Sequence, residues 1–370
     1  PATTVTTVVE TTLPPETTAP PTTTAPEANS TLPPTTTTAA PVDADLVGGW
    51  IAIPEAPLAL APAVQVWTGT ELIVWGNATD GLDGPGVGMA YNPTTTTWRE
   101  LAPGPGRRQQ PAAVWTGAEL LIWGGDGWNG EQTVLTNDGF AYDPATVAWS
   151  TIPAAPLSPR TYPFHVWTGE ELIVWGGMEE IQEFLLSGTT GGAAYNPTTN
   201  TWRALAEAPL GKRNPGVVVW TGTSMIIGGN GDQPDGDASW AAYNPTADSW
   251  TSLPDPPVRA GNVYDGVWTG AEVIFSIDTG TESGNRRWSE LHAFNPETNE
   301  WRQTAAPDRL LLGAGYTWTG EYLVYWGITG FPTTLVEIAY DPDTDDWFQL
   351  APAPLNERFA TGAVTAIGPT

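Results

Sequence analysis

The chain has 370 residues, with 41 acidic and 13 basic side chains for a formal charge of −28, 20 tryptophans, 41 glycines, 37 prolines and no cysteine. That charge argues against nucleic acid and anionic membrane surfaces as partners, and the lack of cysteine removes disulfides, thiolate metal sites and cysteine nucleophiles. No apolar run approaches the ~20 residues of a membrane-spanning helix, so membrane insertion is not expected.

The first segment, 1–45, is dominated by threonine and proline. It carries too little apolar surface to offset the entropy of ordering, and its prolines favour an extended chain. We expect a disordered stalk or linker, of the kind that bears O-linked sugars and holds a domain away from a surface. The chain opens at Pro1 and its first basic residue is Arg99, so no signal-peptide n-region is visible and a processed or cut N-terminus is expected. A stalk beside a domain without a membrane span points to an extracellular or cell-surface location.

From residue 46 to 370 one unit recurs. VWTG or a near copy ends at Gly69, Gly117, Gly169, Gly222, Gly270 and Gly320, at intervals of 48, 52, 53, 48 and 50 residues. Each unit divides into four short apolar runs, as in PAAVWTG (111–117), ELLIWGG (119–125), GFAYDP (139–144) and AWSTIP (148–153). Runs of this length bounded by Gly, Asn-Pro and Asp-Pro predict buried strands joined by tight turns. Four antiparallel strands in ~50 residues is the size of one propeller blade.

Glycine pairs end the second run at Gly124–Gly125, Gly176–Gly177 and Gly228–Gly229. Tyr or Phe followed by Asn/Asp-Pro ends the third run in all six units, from Tyr91 to Tyr340, and the fourth run holds Trp98, Trp149, Trp202, Trp250, Trp301 or Trp347. With an Arg entering the first strand, this unit resembles the kelch repeat of the galactose-oxidase-like β-propellers, in a bacterial secreted form. The expected fold is all-β, a kelch-type propeller. A fourth-strand-like Trp50 precedes the first unit, and FATGAVTAIG (359–368) repeats a first strand after the last. Seven blades is therefore the favoured count, with the closing blade missing about 25–35 residues in this chain; six blades is the alternative.

In such a blade the turns after the first and third strands share one face, and here they are nearly invariant WTGxE and NPTTNTW sequences read as turn chemistry. The loops after the second strand share the opposite face with the connections into the first strands, and these differ from blade to blade, as in 126–138 and 178–190. Variable loops on a rigid scaffold are where binding residues sit. The IQEFLLS segment within 178–190 is expected to add a helical turn. Most of the positive charge enters on this face, and Arg108, Arg160, Arg213, Arg259, Arg309 and Arg358 are expected to converge on the channel mouth. A guanidinium cluster there suits a carboxylate or another anion, or a hydroxyl-rich sugar. The resemblance adds that matching arginines of kelch-type ubiquitin-ligase adaptors grip an acidic peptide. Tyr162, His165 and Tyr264 in the first strands and Trp128 in a variable loop are the aromatic ligand-binding candidates.

Metal and cofactor chemistry find little footing. His165 and His292 lie in different units with no partner at ligand spacing. The copper-radical oxidases that share the kelch propeller need a cysteine-linked tyrosine, which this chain cannot make. Asn230, Asp232, Asp235 and Asp237 fall short of a calcium ligand set. No catalytic residue, metal or cofactor is assigned. The expected role is a monomeric recognition module for a carbohydrate or an acidic protein or peptide. The alternative is an extracellular carbohydrate-active enzyme such as a kelch-type sugar-acid epimerase or mutarotase, with acids drawn from Asp126, Glu131, Glu179 and Glu183.

Overall fold

The computed structural model describes residues 51–350 apart from 79–83, 183–184, 213–215, 230–239, 258–262, 279–288, 308–311 and 330–333, together with the pair 8–9. Six four-stranded antiparallel meanders, each in the order first-second-third-fourth strand, make up a β-propeller. Blade 1 comprises Leu60–Trp67, Leu72–Ala78, Gly86–Asn92 and Thr97–Glu100, and blade 2 comprises Ala112–Trp115, Leu120–Trp123, Gly139–Asp143 and Ala148–Ile152. Blade 3 is Phe164–Trp167, Leu172–Trp175, Gly192–Asn196 and Thr201–Ala204, and blade 4 is Val217–Trp220, Met225–Gly228, Trp240–Asn244 and Ser249–Leu253. Blade 5 runs from Val263–Trp268 through Val273–Asp278 and Ser289–Asn295 to Glu300–Gln303, and blade 6 from Leu312–Trp318 through Leu323–Thr329 and Thr334–Asp341 to Asp346–Gln349. The count is thus the six of the alternative. The seventh blade favoured from the sequence drew on 359–368 and on Trp50, both outside the described residues, as is the stalk apart from the pair 8–9.

First strands of consecutive blades pack against one another from blade 1 to blade 6, which makes them the innermost. The apolar clusters lie between blades rather than within them. One joins Val114, Leu121 and Trp123 of blade 2 to Leu172, Val174 and Tyr195 of blade 3; another joins Ile173 and Trp175 of blade 3 to Met225, Ile227 and Tyr243 of blade 4. Because both faces of each sheet are covered, second strands such as LIVW (172–175) are buried at every position instead of alternating.

The fourth-strand tryptophan closes each wedge. Its ring stacks on the second-strand tryptophan of the preceding blade in Trp75–Trp149, Trp123–Trp202 and Trp175–Trp250, with centroids 5.7, 5.7 and 5.8 Å apart. Its indole N–H donates to a carbonyl in the connection that leads into its own blade. Trp98 reaches Pro54 at 2.8 Å, Trp149 Ala102 at 2.9 Å, Trp202 Pro153 at 2.8 Å and Trp250 Ala206 at 3.0 Å. Trp301 reaches Pro254 at 2.9 Å and Trp347 reaches Ala305 at 2.8 Å. One residue thus fills the gap and satisfies a carbonyl that has no ladder partner.

A second contact recurs only at every other boundary. Arg99, Arg203 and Arg302, in the fourth strands of blades 1, 3 and 5, pair with Glu71, Glu171 and Glu272 of the same blades through Nε and Nη2. Their Nη1 groups donate across the boundary to the hydroxyls of Tyr142, Tyr243 and Tyr340 in blades 2, 4 and 6. Tyr243 and Tyr340 in turn donate to Asp248 and Asp345. Blades 2, 4 and 6 carry Ser150, Thr251 and Phe348 where the arginine would stand. The repeat therefore has a higher period of two blades, with the arginines 104 and 99 residues apart.

Turn chemistry matches expectation on the WTG face. The threonine of each WTG caps its own turn, as Thr168 Oγ1 does by accepting from the Glu171 N–H at 2.9 Å. In the third-to-fourth turns, Asn92, Asn196, Asn244, Asn295, Asp143 and Asp341 accept backbone N–H groups two or three residues on. On the other face the second glycine of each pair lies against incoming backbone. A Cβ at Gly177, whose φ is +92°, would stand 2.8 Å from the Thr161 carbonyl oxygen.

Two stability measurements follow. Gly177→Ala is expected to cost roughly 2 kcal/mol or more in denaturant unfolding, from the left-handed backbone and the clash together. The Tyr243 hydroxyl and the Ala206 N–H hold the Asp248 carboxyl below the usual carboxylate range. Its contribution is therefore present above about pH 4 and lost as pH falls through the lowered value. The unfolding free-energy gap between wild type and Asp248→Asn, an isostere suited to the positive φ at this position, should be small (under ~1 kcal/mol for so exposed a group), full at neutral pH and closed in acid.

Candidate functional site

The loop face departs from the blade plan in blades 2 and 3, where the segment after the second strand forms an extra antiparallel hairpin. In blade 2 it pairs Asp126–Trp128 with Thr133–Leu135, and Asn129 Oδ1 closes the tip by accepting the Glu131 and Gln132 N–H groups at 2.9 Å each. In blade 3 it pairs Met178–Gln182 with Leu185–Gly188. The IQEFLLS segment therefore contributes strand, not the helical turn expected from its sequence: Met178 and Gly188 are both fixed at the foot of the hairpin, and the ladder continues outward from them.

Each hairpin is tied to the connection entering its own blade. Gln109 pairs with Asp126 and Thr161 with Met178 in isolated bridges, with backbone bonds of 2.8 to 3.0 Å in both directions. The next residues, Gln110 and Tyr162, both adopt left-handed backbone, with φ of +50° and +51°, and Tyr162 N–H donates to the Gln110 carbonyl at 3.1 Å. Tyr162 is held in a conformation that bulky residues avoid, and the residue is 41% exposed.

The arginines that enter these blades turn inward. Arg108 is buried, donates from Nη2 to Asp138 Oδ1 at 2.7 Å, and lies 4.8 Å over the Phe140 ring. Burial pulls its pKa down and Asp138 opposes that pull. Arg160 is 2% exposed, with Nε on the Ser158 carbonyl, Nη1 on the Gly176 carbonyl and Nη2 on Ser158 Oγ, each at 3.0 Å. Ser158 Oγ donates on to Glu179 at 2.8 Å. These two guanidinium groups brace the hairpins. Arg107, which enters beside Arg108, lies 5.2 Å over the Trp128 ring and donates to Thr133 Oγ1 at 3.0 Å, so Trp128 is half-buried beneath a cation. Burial raises the Asp126 carboxyl pKa, while nearby Thr161 and Arg107 pull it back.

His165 sits at the boundary between blades 2 and 3. Its Nδ1 is 3.0 Å from the Pro163 carbonyl; burial lowers its pKa, while the Pro163 and Ala113 backbone groups oppose that pull. Tyr264 falls at the β-bulge between Val263 and Asp265 in the first strand of blade 5. Arg213, Arg259, Arg309 and Arg358 lie outside the described residues, as do Asn230, Asp232, Asp235, Asp237 and Glu183. The structure thus brings together Arg108, Arg160, Tyr162, His165 and Trp128 in blades 2 and 3.

Sequence reading missed the apolar tip of the blade 3 hairpin. Ile181, Leu185 and Leu186 are 56%, 50% and 38% exposed, and their signal was an apolar run inside a loop of otherwise polar sequence. The three form an exposed hydrophobic corner on this one hairpin, and Tyr162 is exposed one residue past the Thr161–Met178 bridge at its foot, on a face stiffened from below by Arg108 and Arg160.

No protein-family model and no curated protein matches the chain. Among solved structures it is similar to one described as "Structure of YjhT", at 16% identity and a TM-score of 0.57, covering 81% of this chain and 99% of that one. At that identity the likeness speaks for the fold, and it agrees with the six-bladed propeller built above.

Proposed function

We propose that the chain is a kelch-type propeller, extracellular or surface-tethered, that acts as a non-catalytic recognition module for a protein or peptide ligand on its loop face at blades 2 and 3. The observation that carries this reading is the hydrophobic corner. Of five large hydrophobic side chains exposed among the described residues, four are Tyr162, Ile181, Leu185 and Leu186. Exposed apolar groups gathered in one place mark interaction sites, whereas scattered ones do not. Tyr162 adds a second argument, because a strained backbone that aims an aromatic ring at solvent is retained where it serves a contact.

The neighbouring hairpin extends the surface with the half-buried Trp128, a residue type that anchors protein interfaces, backed by the buried Arg107. Arg108 and Arg160 support the hairpins from beneath, so their guanidinium groups set the shape of the surface. Arg213, Arg259, Arg309, Arg358 and Tyr264 remain candidate contacts around the mouth. The Thr/Pro composition of 1–45 supports the placement outside the cell, as a spacer between the propeller and a surface.

One observation favours the enzymatic alternative, a sugar-acid epimerase or mutarotase. Asp126 is a carboxyl with a pKa raised by burial, set close to Arg107 as a general acid or base would be set near an anion-binding group. That reading predicts epimerisation of a sugar acid by the wild-type chain, lost in Asp126→Asn.

The recognition reading is tested by selecting displayed peptides against the immobilised full chain. Replacing Ile181, Leu185 and Leu186 together by Ser should weaken the selected peptides at least about tenfold, the equivalent of ~1.4 kcal/mol, with little change in Tm because the three side chains are exposed and belong to no core cluster. Retained binding in that variant would overturn the assignment of the corner.

A further inference from the structure

The opposite face, where the WTG and NPTTNTW turns lie, holds a cleft of about 710 Å³ at the boundary of blades 3 and 4. Its base is the Arg203 lock. Nε and Nη2 of Arg203 are bound by the two oxygens of Glu171 at 3.0 and 2.6 Å, and Nη1 by the Tyr243 hydroxyl at 3.0 Å. The half-buried indole of Trp220 forms one wall, and the exposed residues Glu170, Thr223, Asn244 and Thr246 form the rim.

The charges lining this cleft are Glu170, Glu171 and Arg203, a net of −1 with the guanidinium already satisfied. An anion finds no free cation there. The rim offers two hydroxyls and a carboxamide, which can both donate and accept hydrogen bonds, and a carboxylate, which accepts. An aromatic wall with a mixed donor and acceptor rim suits a ligand that has apolar C–H faces and hydroxyls able to do both, and the volume is of the size of small-ligand sites. We propose that the cleft between blades 3 and 4 binds a neutral oligosaccharide, at a site separate from the loop face.

The two-blade period provides an internal control. Locks of the same kind stand at the boundaries of blades 1 and 2 and of blades 5 and 6. At the first of these, Thr223, Asn244 and Thr246 are replaced by Ala118, Asp143 and Ala145; at the second, by Glu321, Asp341 and Asp343. With Thr70 and Ala271 where Glu170 stands, the first keeps one hydroxyl and the second is a carboxylate cluster. Of the three locked boundaries, only the middle one sets two hydroxyls and a carboxamide around the Trp and the lock.

The test uses the full chain with maltotriose, cellotriose and chitotriose as neutral probes, sialyllactose as the anionic one and trilysine as the cationic one. Binding is read by saturation-transfer NMR and calorimetry. At least one neutral trisaccharide is expected to bind, with affinity reduced at least about tenfold in Trp220→Ala and in Thr246→Arg. The second variant alters an exposed turn position and should keep the wild-type Tm, so its effect is not one of folding. Asp343→Arg, at the equivalent place in blade 6, and the triple Ser variant of the loop-face corner should both leave sugar binding unchanged. The proposal is overturned if no neutral trisaccharide binds, if only sialyllactose or trilysine binds, or if binding survives Thr246→Arg.

Discussion

Every blade boundary among the described residues depends on an indole N–H that reaches a backbone carbonyl, from Trp98 on Pro54 to Trp347 on Ala305. A propeller blade is a flat sheet with two apolar faces, and it gains stability only by lying against its neighbours. Adjacent blades diverge outward, so something large must fill the widening gap, and the connection crossing that gap leaves carbonyl groups without ladder partners. Tryptophan meets both needs, with a ring that packs on a tryptophan of the preceding blade for Trp149, Trp202, Trp250 and Trp301 and a donor at its edge. This requirement explains the tryptophan content better than any surface role does.

Upon that uniform latch the chain sets an alternating one. The Arg–Glu–Tyr lock spans the boundaries 1–2, 3–4 and 5–6, while 2–3 lacks its guanidinium, with Ser150 where the arginine would be. The lock's bidentate geometry gives direction as well as attraction, so it orients neighbouring blades within a pair. The cleft beside Trp220 lies over one such locked boundary, while the hydrophobic corner at Tyr162 lies beside an unlocked one.

Much of the fold was legible because its determinants are local. Gly69 and its equivalents have positive φ in a turn that four adjacent residues define, and a ~50-residue period is plain in one dimension. The site was legible only in position. The sequence places Arg108 and Arg160 on the loop face but does not say which way a side chain turns, and the carbonyls of Ser158 and Gly176 that draw Arg160 inward come from two different segments. The apolar spacing of 181–186 mimics a helical face, yet Thr161 and Met178 pin the segment as a strand. The alternation TWR, AWS, TWR, SWT, EWR, DWF is visible in the letters; its meaning required knowing that the hydroxyl partner is in the next blade.

The pairing of blades bears on how such a chain can be lengthened or recombined. An exchange between points about 100 residues apart keeps each arginine beside a tyrosine, because it moves blades two at a time. A slip of about 50 residues would place Arg203 against a blade of the kind that carries Tyr91, Tyr195 or Phe294, with Thr96, Asn200 or Asn299 in place of Asp248, so the carboxylate is lost in every case and the hydroxyl only where Phe294 stands. A single-blade duplication would therefore cost Arg203 or Arg302 its carboxylate across the new boundary, a contact that a two-blade duplication keeps.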